Sequence, residues 1–148
     1  MNLDQLSGQH VATLLQLSAL IGEGGMWGAV HREEFGNSIL YLMVSPDFSS
    51  WHRLKESETW ILLGGAPVAL HTIDHNHTHR ELSHDAENLL LTHTVPTGVW
   101  MAAESLGEWS LLACLVTPAF TQLELANRDL VDEWSVRFGP EVGRFFHE

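Results

Sequence analysis

The densest concentration of chemically useful side chains lies between Phe48 and Gly65, where Trp51-His52 is followed by Glu58-Thr59-Trp60. In an extended chain, residues two apart share a face, so His52 projects with Leu54, and Glu58 projects with Trp60 and Leu62. If both rows face one interior, an imidazole meets a carboxylate in a cavity walled by indoles. Such a couple suits acid/base work, because a neighbouring carboxylate raises an imidazole's pKa while desolvation pulls it down. The expected chemistry is proton transfer on a small molecule. His52 is the candidate general base or acid and Glu58 its partner. Phe48, Trp51, Trp60 and Trp100 would hold the substrate and exclude water.

Positioning this couple requires a rigid frame, and the rest of the chain supplies one. Short apolar runs recur at Ser38 to Val44, Thr59 to Leu63, Val68 to Ile73, Leu89 to Val95, Val99 to Ala103 and Trp109 to Thr117. Turn residues punctuate them at Ser45-Pro46-Asp47, Gly64-Gly65-Ala66-Pro67, Asp74-His75-Asn76, Pro96-Thr97-Gly98 and Leu106-Gly107. Regularly spaced short strands predict an all-β sandwich or barrel. Before them, Val11, Leu14 and Leu15 mark one face of a helix from His10 to Leu17, stopped by Gly22 and Gly24-Gly25. After them, Leu130, Val131, Trp134 and Phe138 predict a second helix from Asn127 to Phe138, ended by Gly139-Pro140. No repeat, linker or low-complexity tract divides residues 1–148, so one domain is expected.

Composition narrows the partners. Apolar residues make up 45% of the chain and charged residues 18%, and no apolar stretch has the ~20 residues of a membrane span. The start, Met1-Asn2-Leu3-Asp4-Gln5, lacks a basic secretory leader, so a soluble cytoplasmic protein is expected. Nineteen acidic residues face seven basic ones, of which only Lys55 is a lysine, for a net charge of −12. That balance repels phosphate backbones and disfavours nucleic acid and anionic membranes as partners. Protonating all ten histidines would bring the charge to −2, so mild acid changes this chain more than most. The lone Cys114 supports neither a disulfide framework nor a cysteine zinc site.

The residues around His52 resemble the cupin superfamily. His52-x-Leu54-x-x-x-Glu58 followed by Gly65 is similar to the first cupin motif, and Pro96-x-Gly98-x-x-Met101 to the second. The chain more closely resembles a family of small bacterial and fungal cupins of unassigned function. The matching segments, in family order, are Glu23-Gly24-Gly25, Phe48-Ser49-Ser50-Trp51-His52, Glu58-Thr59-Trp60, Pro96-Thr97-Gly98-Val99-Trp100 and Cys114-Leu115-Val116-Thr117-Pro118-Ala119-Phe120. The resemblance implies a double-stranded β-helix, or jelly-roll barrel, with short helices flanking it at both ends.

Departures from the motifs shape the functional expectation. Metal-binding cupins use two histidines and the glutamate of the first motif and a histidine of the second, a set with open positions for substrate or dioxygen. Here two of the four are Leu54 and Met101, so neither a bound metal nor another cofactor is expected. The family also continues after Glu-Gly-Gly with Tyr-Tyr-Arg-Glu-Thr, where this chain has Met26-Trp27-Gly28-Ala29-Val30. If that strand lines the pocket, Trp27 faces the ligand and the ligand is more apolar than is usual for the family. The leading expectation is a metal-independent cupin enzyme, an isomerase, epimerase, cyclase or lyase, acting on a partly apolar substrate. The alternatives are a non-catalytic sensor or carrier, and a metal-dependent oxygenase using His52, Glu58 and a further ligand such as His71.

The remaining candidates carry weaker signals. Glu23 is a possible pocket carboxylate in a glycine-rich turn. Cys114 alternates with Leu112 and Val116 along a strand with one pocket face. His71 follows the Gly64-Gly65 turn and is a candidate for pointing inward. His75, His77 and His79 would share a face if extended, but their polar neighbours Asp74, Asn76, Thr78, Arg80 and Glu81 favour a solvated hairpin over a biological metal site. The continuous apolar run Ile39 to Val44 suggests a strand covered on both faces, and with the cupin resemblance it implies a homodimer.

Overall fold

Alternation along Trp109–Thr117 sends Leu112, Cys114 and Val116 to one side and Trp109 and Leu111 to the other, and both sides are buried. This strand is β10 of a computed structural model that describes residues 1–148. The others are β1 (Ser18–Ala19), β2 (Met26–Glu33), β3 (Gly36–Val44), β4 (Phe48–Leu54), β5 (Ser57–Gly65), β6 (Val68–Ile73), β7 (His77–Leu82), β8 (Thr92–Val95), β9 (Trp100–Ser105) and β11 (Leu123–Leu125). They form two antiparallel sheets, ordered β1-β2-β3-β10-β5-β8 and β11-β4-β9-β6-β7. Two helices flank them, α1 (Gly8–Leu14) and α2 (Arg128–Phe138). The predicted barrel with a helix near each end is the observed architecture.

Three hydrophobic clusters explain the arrangement. The barrel interior holds Tyr41, Leu54, Trp60, Leu70, Met101, Leu112 and Cys114 among others. Helix α1 buries Val11 and Ala12 on the outer face of the first sheet, against Leu42, Trp109 and Leu111. Helix α2 buries Val131 and Trp134 on the outer face of the second, against Trp51, Ile73, Trp100 and Ala102, with Phe145 completing the layer. Each helix starts at a side-chain cap: Ser7 Oγ accepts from the His10 N–H and Asn127 Oδ1 from the Leu130 N–H. Neither helix is long and apolar enough to cross a membrane.

Several sequence expectations change in detail. The first helix runs Gly8–Leu14 rather than His10 to Leu17, and Gln16 then adopts a positive φ of 55°. The apolar run Ile39 to Val44 is covered within the chain, Tyr41 and Met43 by the barrel interior and Leu40, Leu42 and Val44 by the α1 layer. A second copy is therefore not needed to explain it. The solvated hairpin around His77 is strand β7, which pairs with β6 in a register that sets His71 opposite His79. His75 lies outside it in the turn, with its side chain 94% exposed.

Candidate functional site

Glu23 reaches the barrel interior because the two glycines after it turn the chain sharply. Gly24 and Gly25 have φ of 97° and 75°. A Cβ at Gly24 would run into the Phe48 carbonyl oxygen, and one at Gly25 into the Tyr41 hydroxyl. The Tyr41 hydroxyl donates to the Gly24 carbonyl at 2.6 Å, and Asp47 Oδ2 accepts from the Gly25 N–H at 2.8 Å. The turn thus buries the Glu23 side chain, whose Oε2 accepts from Ser49 Oγ at 2.9 Å.

His52 and Glu58 complete the polar group. His52 lies on β4 opposite Met101 of β9 and is 1% exposed. Its Nδ1 is 2.7 Å from the Ser50 carbonyl oxygen. A carbonyl oxygen only accepts, so Nδ1 carries a hydrogen. Nε2 lies 3.6 Å from Glu23 Oε1, which makes Glu23 its carboxylate neighbour. Glu58, on β5, has its pKa raised to about 7. Burial is the main cause; the His52 charge pulls it down and the Glu23 charge pushes it up. Near neutral pH a large share of Glu58 is protonated.

A cavity of about 290 Å³ opens onto this group. Glu23 and Glu58 line it, with Leu20, Trp27, Ile39, Leu54, Val116, Phe120 and Leu123 as apolar wall. His52 stands behind the carboxyls and does not line the cavity. Trp60 and Cys114 belong to the interior core, paired across β5 and β10. Burial pushes the Cys114 thiol well above its usual pKa, with the Glu58 and Glu23 charges adding to the effect, which makes it a packing group rather than a nucleophile. The Trp60 indole N–H is the one buried side-chain polar atom without a protein partner.

The remaining expected ligand contacts lie elsewhere. Trp51, Trp100, His71 and Phe48 pack outside the barrel, beneath α2 and the residues that follow it. The Trp51 indole donates to the Val142 carbonyl at 2.8 Å and meets Trp134 and Phe145 edge-on. Trp100 packs against Trp134, and Phe48 stacks on His147 with centroids 4.1 Å apart. His52 and Leu54 face inward on β4, so Trp51 and Arg53, which alternate with them, face outward. A register shift between Ser49 and His52 breaks that alternation, so Phe48 faces outward as well.

His71 likewise faces away from the cavity, packing against Phe145 and stacking with His77 and His79. Its Nδ1 is 2.9 Å from His77 Nε2. Burial, followed by the charges of His77, His79 and Arg144, lowers its pKa to about 4, against an opposing pull from Glu104. A histidine depressed in the fold adds stability that is complete above the unfolded value and lost as pH falls through the folded one. Stability should therefore decline from about pH 6.5 to about pH 4, by up to roughly 3 kcal/mol for this shift of 6.5 to about 4. Urea midpoints at pH 7 and pH 5 check this. His71→Gln should shrink the difference between them, and an unchanged difference would contradict the assignment.

The cupin metal set does not fit these residues. Leu54 and Met101, at two of its four positions, are buried hydrophobes, and no three His, Cys, Asp or Glu side chains converge where an ion could be held. His71 cannot complete a set with His52 and Glu58 from the opposite face of its sheet.

Arg32 and Asn37, which also line the cavity, are absent from the sequence reading. A β-bulge between Ala29 and His31 breaks the alternation along β2 and re-aims the residues beyond it. The legible signal was Arg32 itself, a scarce cation on the strand that carries Trp27.

In comparisons with known proteins, no curated protein matches the chain. Among solved structures it is similar to a hypothetical protein from Leishmania major, with a TM-score of 0.85 and 21% identity over 97% of this chain and 100% of that one. A protein from Shewanella oneidensis gives 0.83 and 22% over 97% and 98%. A cupin 2 conserved barrel domain protein from Rhodopseudomonas palustris gives 0.66 and 10% over 87% and 83%. These likenesses establish the fold. The family described as "Cupin superfamily (DUF985)" matches residues 9–126, from α1 to the end of the barrel, and the chain belongs to that family.

Proposed function

We propose that the barrel cavity is a small-molecule site for metal-independent proton transfer, the chemistry shared by isomerases, epimerases, cyclases and lyases. One observation carries this reading: two carboxyls, Glu23 and Glu58, line the same cavity, and Glu58 holds its proton near neutrality. Glu58 is the acid. Glu23 is the base, oriented by Ser49 and beside His52 Nε2. A proton leaves the substrate for Glu23, and Glu58 returns one at a second atom, so the substrate is isomerised or loses a leaving group without a redox change. His52 acts here as a positioning residue whose charge balances the carboxyls. The apolar walls limit water and strengthen these interactions.

Incubation with a fractionated metabolite pool in D2O tests the reading. Mass spectrometry should find one component isomerised, cleaved or deuterated by the wild type and untouched by Glu58→Gln. A component that binds stoichiometrically and returns unlabelled would replace this reading with the second one, a carrier or sensor, which the mostly apolar lining favours.

A further inference from the structure

We propose that the cavity takes a small carboxylic acid, its carboxylate held by Arg32 at the mouth and its inner hydroxyl or carbonyl meeting Glu23 and Glu58. This rests on the reading of the cavity as a small-molecule site. The chain has 19 acidic and seven basic residues, and of the four cations with no carboxylate partner, Arg32, Lys55, Arg80 and Arg137, Arg32 alone lines the cavity. Arg53, Arg128 and Arg144 are each paired with carboxylates. Arg32 lines the cavity and has no carboxylate within 4.0 Å. His31, the neighbouring base at the mouth, is taken by Glu33 at 3.0 Å.

The guanidinium is also held in place. Arg32 and Asn37 are cross-strand partners on β2 and β3, and both grip the backbone of Phe120, another lining residue. Arg32 Nη2 donates to the Phe120 carbonyl at 2.8 Å, and Asn37 Oδ1 accepts from the Phe120 N–H at 2.6 Å. One of the five guanidinium N–H groups is used, which leaves others for a carboxylate in the bidentate geometry that arginine favours.

Charge sets the ligand's direction. A carboxylate pushed inward would meet Glu23, while at the mouth it meets a cation. At the inner end the Glu58 acid needs an acceptor and Glu23 a donor, which a hydroxyl or carbonyl group satisfies. The volume of about 290 Å³ limits size. It equals roughly ten liquid waters at ~30 Å³ each, so the acid has on the order of ten non-hydrogen atoms.

Cyclohexanecarboxylate and cyclohexanecarboxamide, alike in ring and size, serve as probes, followed near neutral pH by the NMR shift of the Trp27 indole N–H. The acid should bind about tenfold tighter than the amide, the worth of a charge-assisted hydrogen bond, and high salt should weaken the acid selectively. Arg32→Gln, at an exposed position, should bring the acid down to the amide's affinity, and Arg32→Lys should keep part of the preference. Equal binding of both probes by the wild type, or a preference that survives Arg32→Gln, would overturn the carboxylate assignment and leave the cavity reading standing. If neither probe shifts Trp27, both fail.

Discussion

Glu58→Gln should lower turnover by about 10²- to 10⁴-fold and leave ligand affinity within a few fold, the usual contribution of a positioned acid. Glutamine has nearly the same shape and retains N–H donors, so binding survives, but it has no proton to transfer. The pH profile gives a second signature. With Glu58 titrating at about 7, the wild-type rate should fall as pH rises above that value, and the variant should lose this limb. His52→Gln should move the limb to higher pH, because the His52 charge holds the Glu58 pKa down. A shift of that kind marks His52 as a positioning residue, and a simple packing role would not produce it.

Glu58→Gln should also stabilise the fold above neutrality. A carboxyl whose folded pKa of about 7 exceeds its ordinary 4.5 contributes stability present below 4.5 and lost as pH rises through 7. At pH 8 that loss is on the order of 3 kcal/mol, and glutamine, which does not ionise, escapes it. Higher thermal stability at pH 8 together with lost turnover is the expected trade-off for a functional group held in an unfavourable site. Turnover equal to wild type would remove Glu58 from the chemistry.

Trp51→Ala is the second large effect, on stability rather than activity: a loss of about 3–5 kcal/mol, as for other buried tryptophans truncated to alanine. The indole is 1% exposed, donates to the Val142 carbonyl and sits between Trp134 and Phe145. Truncation leaves a cavity under α2 and a carbonyl without its donor. Chemical denaturation measures the cost. Trp51→Phe, which keeps much of the packing, should retain the affinity for cyclohexanecarboxylate. Trp27→Ala should do the opposite, weakening the probe with little loss of stability, since Trp27 is half-buried on the cavity wall. If Trp51→Phe abolishes probe binding while Trp27→Ala leaves it intact, the two tryptophans have been assigned to the wrong faces.

Strand parity separates what was readable around the site from what was not. Trp51-His52 and Glu58-Thr59-Trp60 suggested an acid/base group among indoles; of these residues Glu58 lines the cavity, and the two indoles do not. The same alternation that turns His52 inward turns Trp51 out, yet an indole next to a histidine in sequence is easily taken for its neighbour in space. Trp100 misleads similarly, since it packs on Trp134 from a helix that follows it by thirty-four positions. Glu23 was visible only as an acid in a glycine turn. Its closeness to His52 depends on Gly24 and Gly25 folding back under Tyr41 and Phe48.

By itself, the order of turns, apolar runs and cupin-like motifs determined a β-barrel with flanking helices, because periodicity and turn chemistry are local properties that survive without knowledge of contacts. The loss of two metal-ligand positions to Leu54 and Met101 was equally plain, since ligand chemistry is a matter of residue type. Tertiary structure alone decided which side chains meet: Glu23 with His52, Arg32 with Phe120, and His71 with Phe145 rather than the cavity. Those pairings depend on a bulge in β2, on the pleat of β4 and on the cover that α2 lays over one sheet. Each is set by packing between segments distant in the chain, and no window of sequence contains it.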